Sequence, residues 1–303
     1  MSALFAPLSQ WLMLWVFTLL LLRAVYPLVR RYLMSLHPAD SAVVQLTLYS
    51  VPAVLSAALV WAVNGGAGGL LLSHCHGTIC DPHRPDIQYP LALLLLGALL
   101  LTGLLARVFW VWQGSRRYAS QLLQLAKRRG EWWVLPTTTP TVFTLGFWRC
   151  KLVASQGLLT ALPSAALEII ADHERAHRQR GDNLRTLIAR VALLPLLPLC
   201  RPLLEDLDLN HEKACDLAAC HNAEPTQVAQ TIIDVARLQQ KVQAPNNASF
   251  FAHSHTQARV KALLSSVPAR GRRIAPITAV CLTSLAVFSL SLDPLHHLLE
   301  WLW

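Results

Sequence analysis

The chain has 303 residues, of which 54% are hydrophobic and 14% charged, and its mean hydropathy is +0.40. Soluble globular proteins carry about 25% charged residues, and disordered chains combine low hydrophobicity with high charge, so this composition excludes both classes. Seven cysteines are too few for a scaffold built on disulfides. The composition therefore indicates a membrane protein.

Four apolar stretches are long enough to cross a bilayer as helices, which takes about 20 residues. They cover residues 8–29, 43–63, 91–112 and 274–292. The first is not expected to be a cleaved signal peptide, because it lacks a basic start and a small-residue cleavage site. The sequence thus predicts three spans within residues 1–113, a soluble block at 114–273, and a fourth span with a short outer tail at 274–303.

The basic residues predict the orientation of these spans, because Lys and Arg prefer the cytoplasmic side. They cluster in residues 30–42 and at both ends of 114–273, whereas residues 64–90 contain one arginine and the two termini none. We therefore expect a protein of the inner (cytoplasmic) membrane, with the lipid bilayer as its partner, both termini outside and the soluble block in the cytoplasm. Direct nucleic-acid binding is not expected, since no basic stripe is interleaved with aromatic residues.

The predicted outer loop, residues 64–90, contains three histidines and two cysteines. In an oxidising compartment Cys75 and Cys80 could form a disulfide. Histidine and cysteine also bind transition metals, which makes a metal-sensing loop the alternative. A disulfide or a plain polar loop is the favoured interpretation, because the spacing matches no standard metal site.

The block at 114–273 begins with an amphipathic helix over 116–129, after which its pattern changes from strand to helix. Residues 132–135 and 141–155 are rich in β-branched and aromatic side chains around Gly146, which predicts a hairpin or short meander. Helices are predicted at 165–180, capped by Ser164, and at 183–193, 210–221 and 226–242. The expected fold is a multi-pass α-helical membrane protein with a cytoplasmic α+β domain.

The first of these helices carries the sequence His173-Glu174-Arg175-Ala176-His177. Histidines four residues apart lie on one helical face, so both imidazoles can bind one ion at about 2.0–2.1 Å. Glu174 can then contact a metal-bound water and accept its proton. The alternative is a solvated polar helix face, because several arginines surround the motif.

Glu212 is the candidate third ligand, on a later helix. Asp216 lies one turn further along the same face, where it can accept a hydrogen bond from the free nitrogen of a liganding histidine. Eight of the seventeen acidic residues fall between Asp172 and Asp216, which favours a Zn²⁺ site over a solvated face. Asp182, with Asn183, either orients a ligand helix or caps the next helix, and the sequence leaves both open.

The order of these motifs resembles that of the BlaR/MecR-type antirepressor metallopeptidases, which are membrane-embedded gluzincins. The resemblance rests on three motifs in order: His173-Glu174-x-x-His177, Arg180-Gly181-Asp182-Asn183 and His211-Glu212-Lys213-Ala214-Cys215-Asp216. The hairpin at 144–153 is similar to the edge-strand region of that family. Three spans before the domain and one after it also match, so the resemblance covers essentially the whole chain.

The resemblance implies a zinc peptidase in which His173, His177 and Glu212 bind zinc, Glu174 is the general base and Asp216 supports a ligand. The best-known members cleave a transcriptional repressor, or promote its cleavage, when an external sensor domain is acylated by a β-lactam. Only eleven residues follow the predicted fourth span here. We therefore expect no penicillin-binding sensor, and β-lactam sensing is not carried over.

The leading interpretation is a membrane zinc endopeptidase in a signalling system. Its expected partners are a cytoplasmic protein substrate, with a transcriptional repressor as the candidate, and a sensor partner in the membrane. An edge strand formed by Leu152, Val153, Ala154 and Ser155 is expected to hold the substrate extended. The alternatives are an HtpX/Ste24-like quality-control protease and a zinc-binding signalling module without cleavage. The intact Glu174 counts against the second, because a structural zinc site does not need it.

Overall fold

The computed structural model describes residues 2–66, 91–242, 248–266, 268–271 and 273–302. The predicted pairing of Cys75 with Cys80 and the metal-sensing alternative concern residues outside this description. Four helices in the described part are long and apolar enough to cross a membrane, as the sequence predicts. These candidate spans are Pro7–Ser35, Pro38–Asn64, Gly97–Leu125 and Ile274–Leu292.

The spans belong to four long helices: α1 (Ser2–Ser35), α2 (Pro38–Trp61), α3 (Leu91–Leu125) and α10 (Ile274–Leu302). A π-helical turn at Ala62–Gly66 extends α2. Helix α3 continues without a break beyond residue 112, so the predicted boundary between the third span and the soluble block lies inside one helix. Its final turns are the amphipathic segment that the sequence predicts, except that residues 127–129 form a strand instead.

A four-stranded mixed sheet follows α3. Its strands are β1 (Lys127–Arg129), β2 (Trp132–Leu135), β3 (Val142–Leu145) and β4 (Lys151–Ser155), in the spatial order β1-β2-β4-β3. Strands β3 and β4 form an antiparallel hairpin around Gly146, whereas β2 pairs with β4 in parallel. The open edges of this sheet are therefore β1 and β3.

The prediction that β4 is an edge strand is wrong. β4 pairs with β2 on one side and with β3 on the other, so its main-chain groups are used within the sheet. Four of its side chains are completely buried: Leu152, Val153, Ala154 and Ser155. These residues are part of the buried interior of the domain, so β4 cannot pair with a substrate strand.

Six helices complete the domain: α4 (Gln156–Ala161), α5 (Ser164–Arg180), α6 (Asp182–Ala192), α7 (Arg201–Ala219), α8 (Pro225–Val242) and α9 (Ala248–Leu263). Ser164 is the first residue of α5 and Pro163 occupies the cap position, so Ser164 is not the predicted cap. Helix α7 begins well before the predicted residue 210. Proline at the second position of α7 is tolerated because the first-turn N–H groups have no partner within a helix.

Gly181 ends α5 in the left-handed conformation, with φ at 66°, a value that side chains with a Cβ rarely adopt. Its main-chain N–H donates to the carbonyl of Arg178, and its own carbonyl accepts from Leu184 at the start of α6. Because the chain changes direction at this residue, the side chain of Asp182 lies beside His177 in the last turn of α5.

One hydrophobic core joins the membrane helices to the domain. Its buried members come from α1, α2, α6 and α7 and include Trp15, Leu19, Leu33, Val44, Leu193, Leu203 and Leu207. The indole N–H of Trp15 donates to the main-chain oxygen of Ala192 at 3.0 Å. Helices α1 and α2 thus pack directly against α6 and α7.

A buried polar network fixes α7 against the same two helices. The carboxylate of Asp206 accepts hydrogen bonds from the hydroxyl of Tyr26 at 2.8 Å and from two nitrogens of Arg30 at 2.6 and 2.7 Å. The hydroxyl of Tyr49 donates to Leu203 O at 3.0 Å and lies 3.0 Å from the hydroxyl of Tyr26. Since these groups have few other partners in an apolar core, they define one register between α7 and the membrane helices.

A second polar contact lies one turn further along α7. The side-chain amide of Asn210 donates to the hydroxyl of Ser41 at 2.9 Å and to Gln45 Oε1 at 3.0 Å. All three residues are buried. Asp206 and Asn210 therefore both attach α7 to the membrane helices.

Replacing Asp206 with alanine is expected to destabilise the protein by about 2 kcal/mol, because the buried hydroxyl of Tyr26 loses its hydrogen bond to a charged acceptor. Arg30 is 53% exposed, so its ion pair contributes little of this. Thermal unfolding in detergent should show a midpoint lower by several degrees. The matched control is Glu205→Gln on the same helix, which removes an exposed pair with Arg201 and should change stability by less than about 0.5 kcal/mol. Equal effects of the two substitutions would contradict the role of the network.

Candidate metal centre

Helices α5 and α7 bring together the three side chains that the sequence predicts as metal ligands. Nε2 of His173 lies 3.1 Å from Nε2 of His177. The carboxylate of Glu212 lies 3.5 Å from Nε2 of His173 and 3.4 Å from Nε2 of His177. Two nitrogens and a carboxylate therefore point at one common space, and these residues could hold a metal ion.

The spacing of these donor atoms fits a small tetrahedral cation. Zinc bonds of about 2.0–2.1 Å in tetrahedral geometry place the ligand atoms about 3.4 Å apart. The three measured separations lie close to this value, with Glu212 approaching His173 through Oε2 and His177 through Oε1. Two histidines and a carboxylate are also a donor set suited to catalytic zinc.

Each histidine has a carboxylate on its other ring nitrogen. Nδ1 of His173 lies 3.0 Å from Asp216, and Nδ1 of His177 lies 3.0 Å from Asp182. Such carboxylates fix the ring orientation and leave Nε2 available for the ion. Asp216 occupies the position expected from the sequence. Of the two interpretations left open for Asp182, the structure favours orientation of the ligand helix, because its carboxylate contacts His177 on α5.

The neighbouring Asn183 links this region to the sheet. Its side-chain amide donates to the main-chain oxygens of Thr144 at 2.8 Å and Gly146 at 2.9 Å. The Arg180-Gly181-Asp182-Asn183 segment therefore orients His177 on one side and holds the end of β3 on the other.

The protonation of the centre is set by these pairs. Burial lowers the pKa of His173, but the hydrogen bonds to Asp216 and Glu212 more than offset this, so its pKa is raised. The pKa of His177 is likewise raised, because Asp182 opposes the effect of burial. Since only neutral imidazole binds a metal, protons at these histidines compete with the ion, and metal affinity should fall as the pH falls.

Glu174 lies beside the ligands and is buried. Its Oε2 accepts a hydrogen bond from the hydroxyl of Thr144 on β3 at 2.6 Å. Glu174 and the three ligands line the same cavity, of about 320 Å³. The predicted base is thus positioned next to the metal centre by a threonine whose role the sequence motifs do not indicate.

The cavity is the base of a cleft between β3 and α8. Its lining includes Val142, Phe143 and Thr144 of β3 and apolar residues of α8, among them Ile232 and Val235. The main-chain groups of Val142 and Thr144 point away from β4. This follows because Ser155 N donates to Thr141 O, and antiparallel pairing alternates from residue to residue.

Arg259 on α9 is a site residue that the sequence does not reveal. Its guanidinium contacts Glu212 Oε2 at 2.8 Å and both oxygens of Asp216 at 2.8 and 2.6 Å. Burial raises the pKa of Glu212, but Arg259 and the two histidines lower it well below its ordinary value. Arg259 is separated from Asp216 by 43 positions, and no motif surrounds it. Only the packing of α9 against α7 brings it into the site.

Two other residues of the motif on α7 lie behind the centre. His211 is buried, does not line the cavity, and lies 3.7 Å from Asp182. Burial lowers its pKa to about 4, so it is neutral near pH 7. The buried thiol of Cys215 donates to Asp182 at 3.5 Å, and burial raises its pKa to about 11. Both residues pack against Asp182 and do not face the cleft.

Replacing Arg259 with glutamine should weaken divalent-metal binding about 10- to 100-fold, which is typical when a partner of a ligand is lost. Glu212 and Asp216 would then be adjacent carboxylates without their shared cation. The affinity can be measured by competition with a chromophoric chelator. Arg237→Gln, which removes an exposed arginine next to Asp234, is the control and should bind metal normally.

Arg259→Lys should give an intermediate affinity, because lysine keeps the charge but cannot contact both carboxylates in the same planar geometry. Tighter metal binding by Arg259→Gln would instead mean that the guanidinium competes with the ion for Glu212.

A comparison with protein families matches residues 4–263 to the family described as BlaR1 peptidase M56. No curated protein and no solved structure matches the chain. The matched region includes the first three membrane helices and every helix that contributes to the metal centre. In agreement with the resemblance of the motifs, the chain belongs to the BlaR1-type M56 family of metallopeptidases.

Proposed function

We propose that the protein is a membrane-embedded zinc endopeptidase that cleaves a cytoplasmic protein. The observation that carries this proposal is the convergence of His173, His177 and Glu212 at the spacing of a zinc tetrahedron, with Glu174 beside them. Catalytic zinc sites have three protein ligands and one open position, whereas structural sites usually have four protein ligands. Three ligands that face a cleft therefore favour a catalytic ion over the alternative of a structural one.

When bound, the zinc ion supplies a Lewis acid that polarises the peptide carbonyl and lowers the pKa of water. Glu174 accepts the proton of the attacking water and then passes it to the leaving amine. Thr144 donates to one oxygen of Glu174 and so orients the other oxygen. Asp182 and Asp216 hold the two imidazoles in the tautomer that presents Nε2 to the ion.

The substrate is proposed to bind along β3, in place of the buried β4. The main-chain groups of Val142 and Thr144 lie at the open edge of the sheet, so an extended peptide can add to this edge as a further strand. Asn183 already occupies the oxygen of Thr144, which limits how far the added strand can extend. Side chains next to the scissile bond would contact the apolar wall of α8.

The distribution of basic residues supports an inner-membrane location with this domain in the cytoplasm and both termini outside. A cytoplasmic transcriptional repressor is the candidate substrate, within a signalling system. The family match supports this over an HtpX/Ste24-like quality-control role. The stimulus would reach the domain through a sensor partner in the membrane or through the outer loop.

Substitutions at the site should separate metal binding from proteolysis. His173→Ala and Glu212→Ala should lose zinc and activity together, because each removes one of three metal bonds. Glu174→Gln should keep zinc and abolish turnover, because it removes only the base. Zinc content and the cellular fragments that depend on Glu174 are the two measurements.

Glu168→Gln is the control, since Glu168 is an exposed acid on the same helix. If metal content and activity both survive Glu212→Ala, the third ligand is a different residue. A fragment pattern unchanged by Glu174→Gln would contradict the proposed proteolysis.

The proposed orientation predicts the behaviour of reporter fusions. A reporter that is active only outside the cytosol should be inactive when fused after Arg129 and active when fused within residues 65–89. We expect this pattern because the basic residues that flank the spans favour the cytoplasmic side of the membrane. The opposite pattern would place the peptidase domain outside the cell.

A further inference from the structure

A second cavity, of about 550 Å³, lies next to the metal centre. It is bounded by α3, by α6 and by the 3₁₀ turn at Leu194–Leu196, with Phe147 from the β3–β4 turn at one end. The part of α3 that lines it belongs to the candidate span Gly97–Leu125. This cavity therefore borders the membrane, whereas the cleft opens between β3 and α8.

The walls of this cavity are mainly apolar, but two arginines belong to them. Val108, Val111 and Leu194 are among the apolar lining residues. Arg107 on α3 and Arg190 on α6 are both exposed, and neither forms an ion pair with another residue that the structure describes. An apolar cavity whose lining has two arginines and one acidic residue is complementary to a ligand with an anionic group and a hydrocarbon chain.

The one acidic residue of the lining, Asp208, cancels only part of this charge. It accepts a hydrogen bond from the hydroxyl of Thr186 at 3.2 Å. Burial raises the pKa of Asp208, whereas Arg190 lowers it, so this carboxylate offsets one of the two arginines and the lining keeps one net positive charge. Near the same end of α3, Arg116 lies 4.7 Å from the ring centre of Trp112, a pairing suited to the headgroup region.

We propose that this cavity binds an anionic phospholipid, with the phosphate between Arg107 and Arg190 and an acyl chain along α3 and α6. Basic pockets between membrane helices are a known means of binding anionic headgroups. A peptide segment is a poorer occupant, because its main-chain groups need hydrogen bonds that these apolar walls do not supply. A hydrocarbon chain has no such need.

The lipid would be separated from the cleft by the side chain of Asn183. Asn183 lines both cavities, and its amide holds the main-chain oxygens of Thr144 and Gly146. A chain packed against Phe147 and Asn183 would support the end of β3 from the side opposite the metal centre. The site is thus a ligand site in addition to the proposed peptidase function, and it does not depend on that function.

The test uses the purified full-length protein in mild detergent, with bound lipid counted by native mass spectrometry. Phosphatidylglycerol should be retained about tenfold more tightly than phosphatidylcholine. The double substitution Arg107→Gln with Arg190→Gln should remove this preference. Val108→Trp, which fills the cavity without changing the charge, should displace both lipids.

The control is Arg117→Gln with Arg237→Gln, which removes the same charge from exposed positions outside the cavity. It should retain phosphatidylglycerol like the wild type, and thermal unfolding confirms that all variants are folded. Equal loss in the control would mean general attraction to a basic surface and would overturn the site. Lipid retention that is unchanged in Val108→Trp, together with altered cleavage of a peptide, would assign the cavity to the substrate instead.

Discussion

The metal centre depends on one constraint, which is the register between α5 and α7. The two histidines are one turn apart on α5, and Glu212 and Asp216 are one turn apart on α7. Both acids meet the histidines within 3.0–3.5 Å, so a shift of either helix by a fraction of a turn would separate both pairs at once. Arg259 contacts both acids on α7, and the turn at Gly181 places Asp182 beside His177. These contacts also require the two helices to keep this register.

The membrane helices take part in holding that register. Asp206 and Asn210 attach α7 to α1 and α2, and Glu212 lies two residues after Asn210 on the same helix. A helix is stiff over this distance. A displacement of α1 or α2 that moves Asp206 and Asn210 would therefore also move Glu212. The membrane part therefore does more than anchor the domain. These contacts link the position of Glu212 on α7 to the positions of α1 and α2.

The features that the sequence predicts are those determined by local spacing. Four apolar stretches of sufficient length and a His-x-x-x-His pair on one helix face follow from residues close together in the chain. The prediction that β4 is an edge strand is wrong because strand order depends on residues far apart in the chain. β2 pairs in parallel with β4, so β3 is the edge strand on that side of the sheet. Arg259 was missed for the same reason, since its partners are on a different helix. The interpretation of Asp182 also required the structure, because a first-turn acid serves equally well as a helix cap in sequence.

The size of the cleft limits what the peptidase can cleave. A cavity of about 320 Å³ accommodates the side chains around one peptide bond, but not a folded domain. Strand addition to β3 requires the main chain of the substrate to be extended and unpaired. The proposed binding along β3 therefore requires an unfolded substrate segment, either permanent or formed by local opening, which in a folded protein costs free energy that varies along the chain. Selection of the cleavage site would then rest as much on which segment of the substrate can open as on the side chains that the cleft contacts.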